Sequence, residues 1–271
     1  MDLYREGPFC FYKEQGIVKE IIITGFDLDA EMREMESRGI CAVWLNRHFC
    51  NNRINDLSFL KGHPNITKVC IVDDDFDCSV ISEMQQLEFL QIETKQSIDF
   101  SQLVNLHTLI TTTIGSNGLP PNLQNLNLWH MKFKDGNMEK TIFPNGLKHL
   151  ELYWTNLTCL SGLPSGIKRL GIYYSRKFLS LVGLNSTNSS IEELELDHCP
   201  NLTDYSGIEF CNKLQKTILI KCGNIPSLSL MENAKGLKHL VLVDTYVTDK
   251  DLNLANSIPY TYIPNKKYYK K

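Results

Sequence analysis

The chain has 271 residues, a net charge of −3 and no run near the roughly 18 consecutive apolar residues of a membrane-spanning helix. It shows no basic stripe of the kind that grips a nucleic-acid duplex. Its nine cysteines are odd in number and include no Cys-x-x-Cys pair, so neither a disulfide framework nor a zinc module is indicated.

Residues 1–16 fit no repeat, and Met1-Asp2-Leu3-Tyr4-Arg5-Glu6 lacks the basic and then apolar character of a secretion signal. Phe9 and Phe11 are expected to plug the exposed end of the first repeated unit. From Val18 onward one frame recurs, apolar-x-x-apolar-x-apolar. Its copies are Val18/Ile21/Ile23, Ile40/Val43/Leu45, Ile66/Val69/Ile71, Leu87/Leu90/Ile92, Leu106/Leu109/Thr111 and Leu123/Leu126/Leu128. They continue as Leu147/Leu150/Leu152, Ile167/Leu170/Ile172, Ile191/Leu194/Leu196, Leu214/Thr217/Leu219, Leu237/Leu240/Leu242 and Ile258/Thr261/Ile263. First positions lie 17 to 26 residues apart. Each unit is too small to bury its own apolar side, so its inward side chains form a core only when the next unit stacks on them.

Between strands the apolar spacing changes. Ile54/Leu57/Leu60, Leu157/Leu160/Leu163, Phe178/Leu181/Leu184, Leu202/Tyr205/Ile208 and Ile225/Leu228/Met231 step by three, which suits 3₁₀ or extended turns. Proline after Leu119, Phe143 and Leu163 cannot continue a helix and predicts extended chain there. Asp27 to Gly39 and Cys78 to Gln86 step by three and four and predict short helices; Leu252 and Ala255 suggest a third.

A period near 20–29 with this consensus resembles the leucine-rich repeat family, over nearly the whole chain. The step-of-three segments resemble its internalin-like variety, and the proline-containing units resemble the compact repeats of some bacterial effectors. The resemblance implies an α/β fold: a curved solenoid with a parallel sheet of about ten to twelve short strands on its concave face. The convex face would be mostly extended or 3₁₀, with a few short helices. One solenoid is expected over 1–271, with an N-terminal cap at 1–16, repeats at 17–263 and a C-terminal cap or tail at 264–271.

Cys199 and Cys222 fall three residues after the last strand leucine, where such repeats turn a small polar side chain inward; Thr155, Ser175 and Thr245 hold the same place. Reduced, structural thiols point to a cytoplasmic protein. Asp73-Asp74-Asp75-Phe76-Asp77 resembles a calcium loop only superficially, since Cys78 and Met84 stand where glycine and a bidentate Glu are needed. It reads as an acidic surface loop. Five Asn-x-Ser/Thr sequences, at Asn65, Asn156, Asn185, Asn188 and Asn201, read as turn formers. No nucleophile elbow, phosphate loop or His-Glu-x-x-His is present. Neither catalytic residues, cofactor nor metal is expected.

Strand alternation sends the third, fifth and seventh positions of each unit to the open sheet face, and the eighth to the exit into the loop. Positions seven and eight are Trp129-His130, Tyr153-Trp154, Tyr173-Tyr174 and Asp197-His198. Beside them stand His149/Glu151, Arg169/Gly171 and Glu193/Glu195. Large aromatics rimmed by charge are what protein interfaces enrich. The expected partner-binding residues are therefore Trp129, His130, His149, Glu151, Tyr153, Trp154, Arg169, Tyr173, Tyr174, Glu195 and Asp197. The five Trp and Tyr rings are expected to form one platform, with a hollow at Gly171 and with Lys177 on the convex side. The function expected is non-enzymatic recognition of another protein. The C-terminal segment Val247 to Tyr269 resembles small bacterial cytosolic leucine-rich-repeat proteins, some of immunity or antitoxin type. A repeat-only effector acting in a host cell, or a glycan or small-ligand binder, are the alternatives.

Overall fold

A computed structural model describes residues 2–46, 54, 56–72, 76–188 and 190–264. Asp73–Asp75, Cys50 and the tail from Asn265 therefore lie outside the described residues. The chain forms two compact units, residues 1–123 and 124–271.

The first unit opens on β1 (Asp2–Glu6), β2 (Phe9–Glu14) and β3 (Ile17–Ile22), which pair antiparallel. Helix α1 (Leu28–Ser37) follows, and then β4 (Ala42–Leu45), β5 (Lys68–Val72), β6 (Phe89–Glu93) and β7 (Thr108–Thr111). From β3 to β7 the neighbours are parallel and in chain order. The expected run of about ten to twelve parallel strands is present from β3 onward, and the antiparallel hairpin β1–β2 lies within residues 1–16, which were expected only as a cap. The hairpin's reason is the missing partner of β3: with no preceding repeat, a hairpin satisfies that edge and drops Phe11 onto the end of the core, fully buried. Phe9 is only half-buried.

Asp27 caps α1 by accepting from the Ala30 N–H at 3.0 Å, and Glu31 accepts from the Thr24 and Gly25 N–H groups at 2.9 and 3.1 Å. The second predicted helix is instead a 3₁₀ turn, Ser79–Glu83, closed by bonds from Ile81 N–H to Cys78 and from Met84 N–H to Ile81. Its bonds run from residue i+3 back to i, the tighter 3₁₀ pattern. Val80, Ile81 and Met84 are buried all the same.

The second unit contains β8 (Asn125–Trp129), β9 (His149–Tyr153), β10 (Arg169–Tyr173), β11 (Glu193–Asp197), β12 (Lys216–Ile220), β13 (His239–Val243) and β14 (Tyr260–Tyr262), all parallel and in order. Helix α2 (Asn253–Ser257) precedes the last strand. The register aligns Leu126, Leu150, Leu170, Leu194, Thr217, Leu240 and Thr261 in one row. The leucines of that row are 0 or 1% exposed. The twelve frames read from the sequence are β3 to β14. Each unit is thus a leucine-rich-repeat stack.

On the side of the core away from the sheet, the step-of-three triads are buried from Ile54/Leu57/Leu60 to Ile225/Leu228/Met231. Between sheet and loop runs a buried polar row in the second unit. Thr155 and Ser175 hydroxyls meet at 3.1 Å, Cys199 donates to the Ile172 carbonyl at 3.6 Å, Cys222 donates to Leu196 at 3.3 Å, and Thr245 accepts from the Cys222 N–H at 2.9 Å. These side chains satisfy backbone groups that the strand-to-loop turn leaves buried. Asn156 works likewise between repeats, accepting from Phe133 N–H at 2.7 Å and donating to its carbonyl at 2.9 Å. The eight described cysteines are free thiols.

Candidate functional site

The candidate residues all belong to the second unit and lie on strands β8 to β11 or at their exits. They divide into two rows. The first row holds the seventh positions, Trp129, Tyr153 and Tyr173, paired in register. Tyr153 and Tyr173 stack at 4.4 Å and 9°, and Trp129 tilts onto Tyr153 at 5.2 Å. These rings lie down on the sheet: Tyr173 is 7% exposed and the other two are half-buried.

Tyr173 also fills the hollow expected at Gly171. A Cβ added there would meet the Tyr173 ring and hydroxyl at 2.5 to 2.9 Å. The absent side chain is thus what lets the tyrosine fold flat, and no pocket for a partner remains. Trp129 has a buried indole N–H with no acceptor among the described residues.

The second row holds the eighth positions, His130, Trp154, Tyr174 and His198. Their rings stack face to face in series, at 5.1 Å and 14°, 5.0 Å and 13°, then 4.6 Å and 22°. Trp154 and Tyr174 are 44% and 40% exposed. The five aromatics expected in one platform form two rows of different character that meet at Trp154, whose ring lies 5.8 Å from Trp129, edge-on, and 6.1 Å from Tyr153. The cause is backbone geometry. His130, Trp154, Tyr174 and His198 have φ of 56°, 53°, 55° and 55°, and Lys221 and Asp244 continue the series at 49°. This left-handed turn swings each side chain off the sheet. It also lets the N–H reach the next strand's last carbonyl, as in His130 to Tyr153 at 2.8 Å and Trp154 to Tyr173 at 3.0 Å.

On the open sheet face Arg169 is the central charge. Its Nη2 lies 3.2 Å from Glu151 and 3.8 Å from Glu195, and its Nε 4.0 Å from Glu193, which Lys216 also approaches at 3.8 Å. The Tyr153 hydroxyl donates to Glu151 at 3.0 Å. Burial, followed by the Glu151 charge, pushes the Tyr153 phenol well above its usual range; burial and then Glu195 do the same to Tyr173. Both phenols stay neutral. Asp197 faces the His198 ring at 2.6 Å, while His149 is exposed at the strand entrance.

A groove of about 720 Å³ runs beside the second row, lined by its four rings together with Lys132, Arg176, Lys177 and Lys221. Sequence reasoning missed Lys132, Arg176 and Lys221 and placed Lys177 on the far side. The left-handed eighth position turns the following loop back beside the rings, and no glycine advertises that turn. Among the described residues no group of three or more His, Cys, Asp or Glu is arranged to hold a metal. No helix among them is long and apolar enough to cross a membrane.

No family model matches the chain, and no curated protein matches it. Solved structures do. A chain of the Toll–Spatzle complex, described as a molecular hub in Drosophila development and innate immunity, is similar with a TM-score of 0.50 and 13% identity. The likeness covers 84% of this chain and 43% of that one, so this chain spans less than half its neighbour's length. At such identity the likeness shows the fold, and it agrees with the leucine-rich-repeat stacks described above.

Proposed function

We propose that the chain is a non-enzymatic scaffold that binds another protein through the open sheet face of the second unit and its loop margin. The four-ring ladder His130–Trp154–Tyr174–His198 carries this proposal. Bulky side chains are rare at positive φ, where Gly, Asn or Asp are at ease, and such strain costs about 1–3 kcal/mol per residue. Consecutive repeats accept that cost and leave Trp154 and Tyr174 in solvent. The turn itself gains a backbone bond to the next strand and recurs at Lys221 and Asp244, so what favours recognition is the choice of exposed Trp and Tyr at this position, the residues on which interfaces concentrate energy. A neighbour solved as a complex of two proteins supports the same class of use.

The internalin-like turns and the C-terminal segment support a finer assignment, a bacterial cytoplasmic protein of immunity or antitoxin type. A repeat-only effector in a host cell is its rival. Repeat frames continue without an intervening linker, 17 residues from Leu106 to Leu123 and 24 from Leu123 to Leu147, which supports one repeat array over the whole chain. Stacking disfavours a glycan ligand, because sugars bind ring faces and the inner faces of this ladder are covered by neighbouring rings. Affinity capture from the native cell, run in parallel with wild type and Trp154→Ala and read by mass spectrometry, tests the proposal. A protein retained by wild type and lost from Trp154→Ala is expected; identical captures would contradict it.

A further inference from the structure

The groove beside the ladder is defined by charge as much as by rings. Lys132, Arg176, Lys177 and Lys221 are all exposed, and none makes an ion pair among the described residues. Among those residues no Asp or Glu lines the groove with them. The cations of the neighbouring sheet face behave differently: Arg169 and Lys216 are held by Glu151, Glu193 and Glu195. The unit thus neutralises its basic groups on the sheet and leaves them open along the groove.

The rings point the same way. An aromatic ring is electron-rich on its faces and electron-poor at its edge. In the ladder each ring's face is turned to the next ring, 4.6 to 5.1 Å away, so the groove meets mainly edges. Edges favour oxygen acceptors and anions. Lys132 and Arg176 each follow the ladder residue of their repeat by two positions, and they are two repeats apart. At roughly 4.8 Å per repeat they stand about 10 Å apart along the ladder, close to three residues of an extended chain at about 3.3 Å each.

We propose that this groove binds an acidic, extended segment of the protein partner, its carboxylates facing Lys132, Arg176, Lys177 and Lys221 across the ring edges. The proposal rests on the recognition function above and specifies the chemistry of what is recognised. A single-stranded nucleic acid is the other linear polyanion to weigh. Its bases bind by stacking on open ring faces, which the inner rings do not offer.

The test uses the whole chain and a fluorescein-labelled peptide of ten glutamates, titrated by anisotropy in 0.05 and 0.15 M NaCl. A labelled ten-residue glutamine peptide and an oligothymidylate of matched charge serve as comparisons. Saturable binding of the glutamate peptide alone is expected. It should weaken as salt shortens the Debye length to about 8 Å. It should also weaken at least about tenfold in the triple variant Lys132→Glu/Arg176→Glu/Lys221→Glu, with an unchanged circular dichroism spectrum. All three positions are exposed, so the variant should keep the fold, and the single variant Arg176→Glu reports the same direction if the triple one does not. Absence of peptide binding would overturn the proposal. So would oligothymidylate binding as tightly as the peptide, or peptide binding unchanged in both variants. Partner capture separates the two levels. Capture lost in Trp154→Ala but unchanged in the triple variant would sink the acidic segment and keep protein recognition. Peptide binding lost in the triple variant, with capture indifferent to Trp154→Ala, would keep the groove and sink the recognition function.

Discussion

His130, Trp154, Tyr174, His198, Lys221 and Asp244 sit at φ between 49° and 56°, one in each of six consecutive repeats. That conformation decides which side chains reach solvent, and nothing in the residue types announced it. An alternation rule places these positions correctly at the strand exit but cannot say that the chain then turns back. Lys177 was misplaced for that reason. Gly171 misled for another: its missing side chain reads as a hollow until the Tyr173 rotamer is known. Cys199 and Cys222 were legible, because their place after the strand turns a small polar side chain toward backbone carbonyls. Burial of three other cysteines has a titration consequence. Burial, then the charge of Glu20, pushes the Cys70 thiol from an ordinary 9.0 up to about 12, and burial, then Glu209, takes Cys211 up to about 12. Cys78 rises to about 11 through burial and then Asp77. Above pH 9 the unfolded chain gives up these protons and the folded chain keeps them. The stability present below pH 9 is therefore expected to fall progressively up to pH 12. Urea midpoints measured at pH 8, 9, 10 and 11 check this, and a flat profile would contradict the burial of the thiols. At pH 8, a thiol reagent should modify exposed Cys41 well before these three.

At the scale of elements, the frame apolar-x-x-apolar-x-apolar was enough to place all twelve parallel-run strands, β3 to β14. Three inward residues at fixed offsets can be buried in only one register, since a slip of one residue would turn them outward. The end of the stack was less legible. Phe9 and Phe11 identified a plug, but not that it would be an antiparallel hairpin, because pairing direction depends on the free edge of β3 and leaves no signature in two phenylalanines. The 3₁₀ turn at Ser79–Glu83 was read as a helix for a similar reason: steps of three and four are ambiguous over five residues. Leu170 tests the stack itself. It is 0% exposed in β10, between Leu150 and Leu194. Leu170→Ala is expected to cost about 2–5 kcal/mol through lost transfer energy and a cavity. Since each repeat contacts only its neighbours, hydrogen exchange should accelerate first in β9 to β11. An unchanged denaturation midpoint would remove Leu170 from the core.

The whole molecule comprises two units whose sequences share one period. If the chain is one repeat array, as proposed, cooperativity should pass along it. Amides of β5 and β6 should then lose protection at the same urea concentration as those of β9 and β10, read by exchange and mass spectrometry; two separated midpoints would indicate independent units. Charge is also distributed along the chain: eighteen acidic against ten basic side chains before residue 101, and thirteen against eighteen after it. Such a gradient can orient a charged partner during approach, and binding should then slow as salt is raised. The central claim, that the second unit recognises a protein through its aromatic ladder, meets its most direct test in calorimetric titration of the captured partner. Wild type, Trp154→Ala and Lys235→Glu, an exposed position outside the groove, would be compared at equal thermal stability. Trp154→Ala is expected to bind at least about tenfold more weakly, about 1.4 kcal/mol, with Lys235→Glu unchanged. Equal affinities for wild type and Trp154→Ala would mean that the ladder only packs the sheet margin and that recognition lies elsewhere.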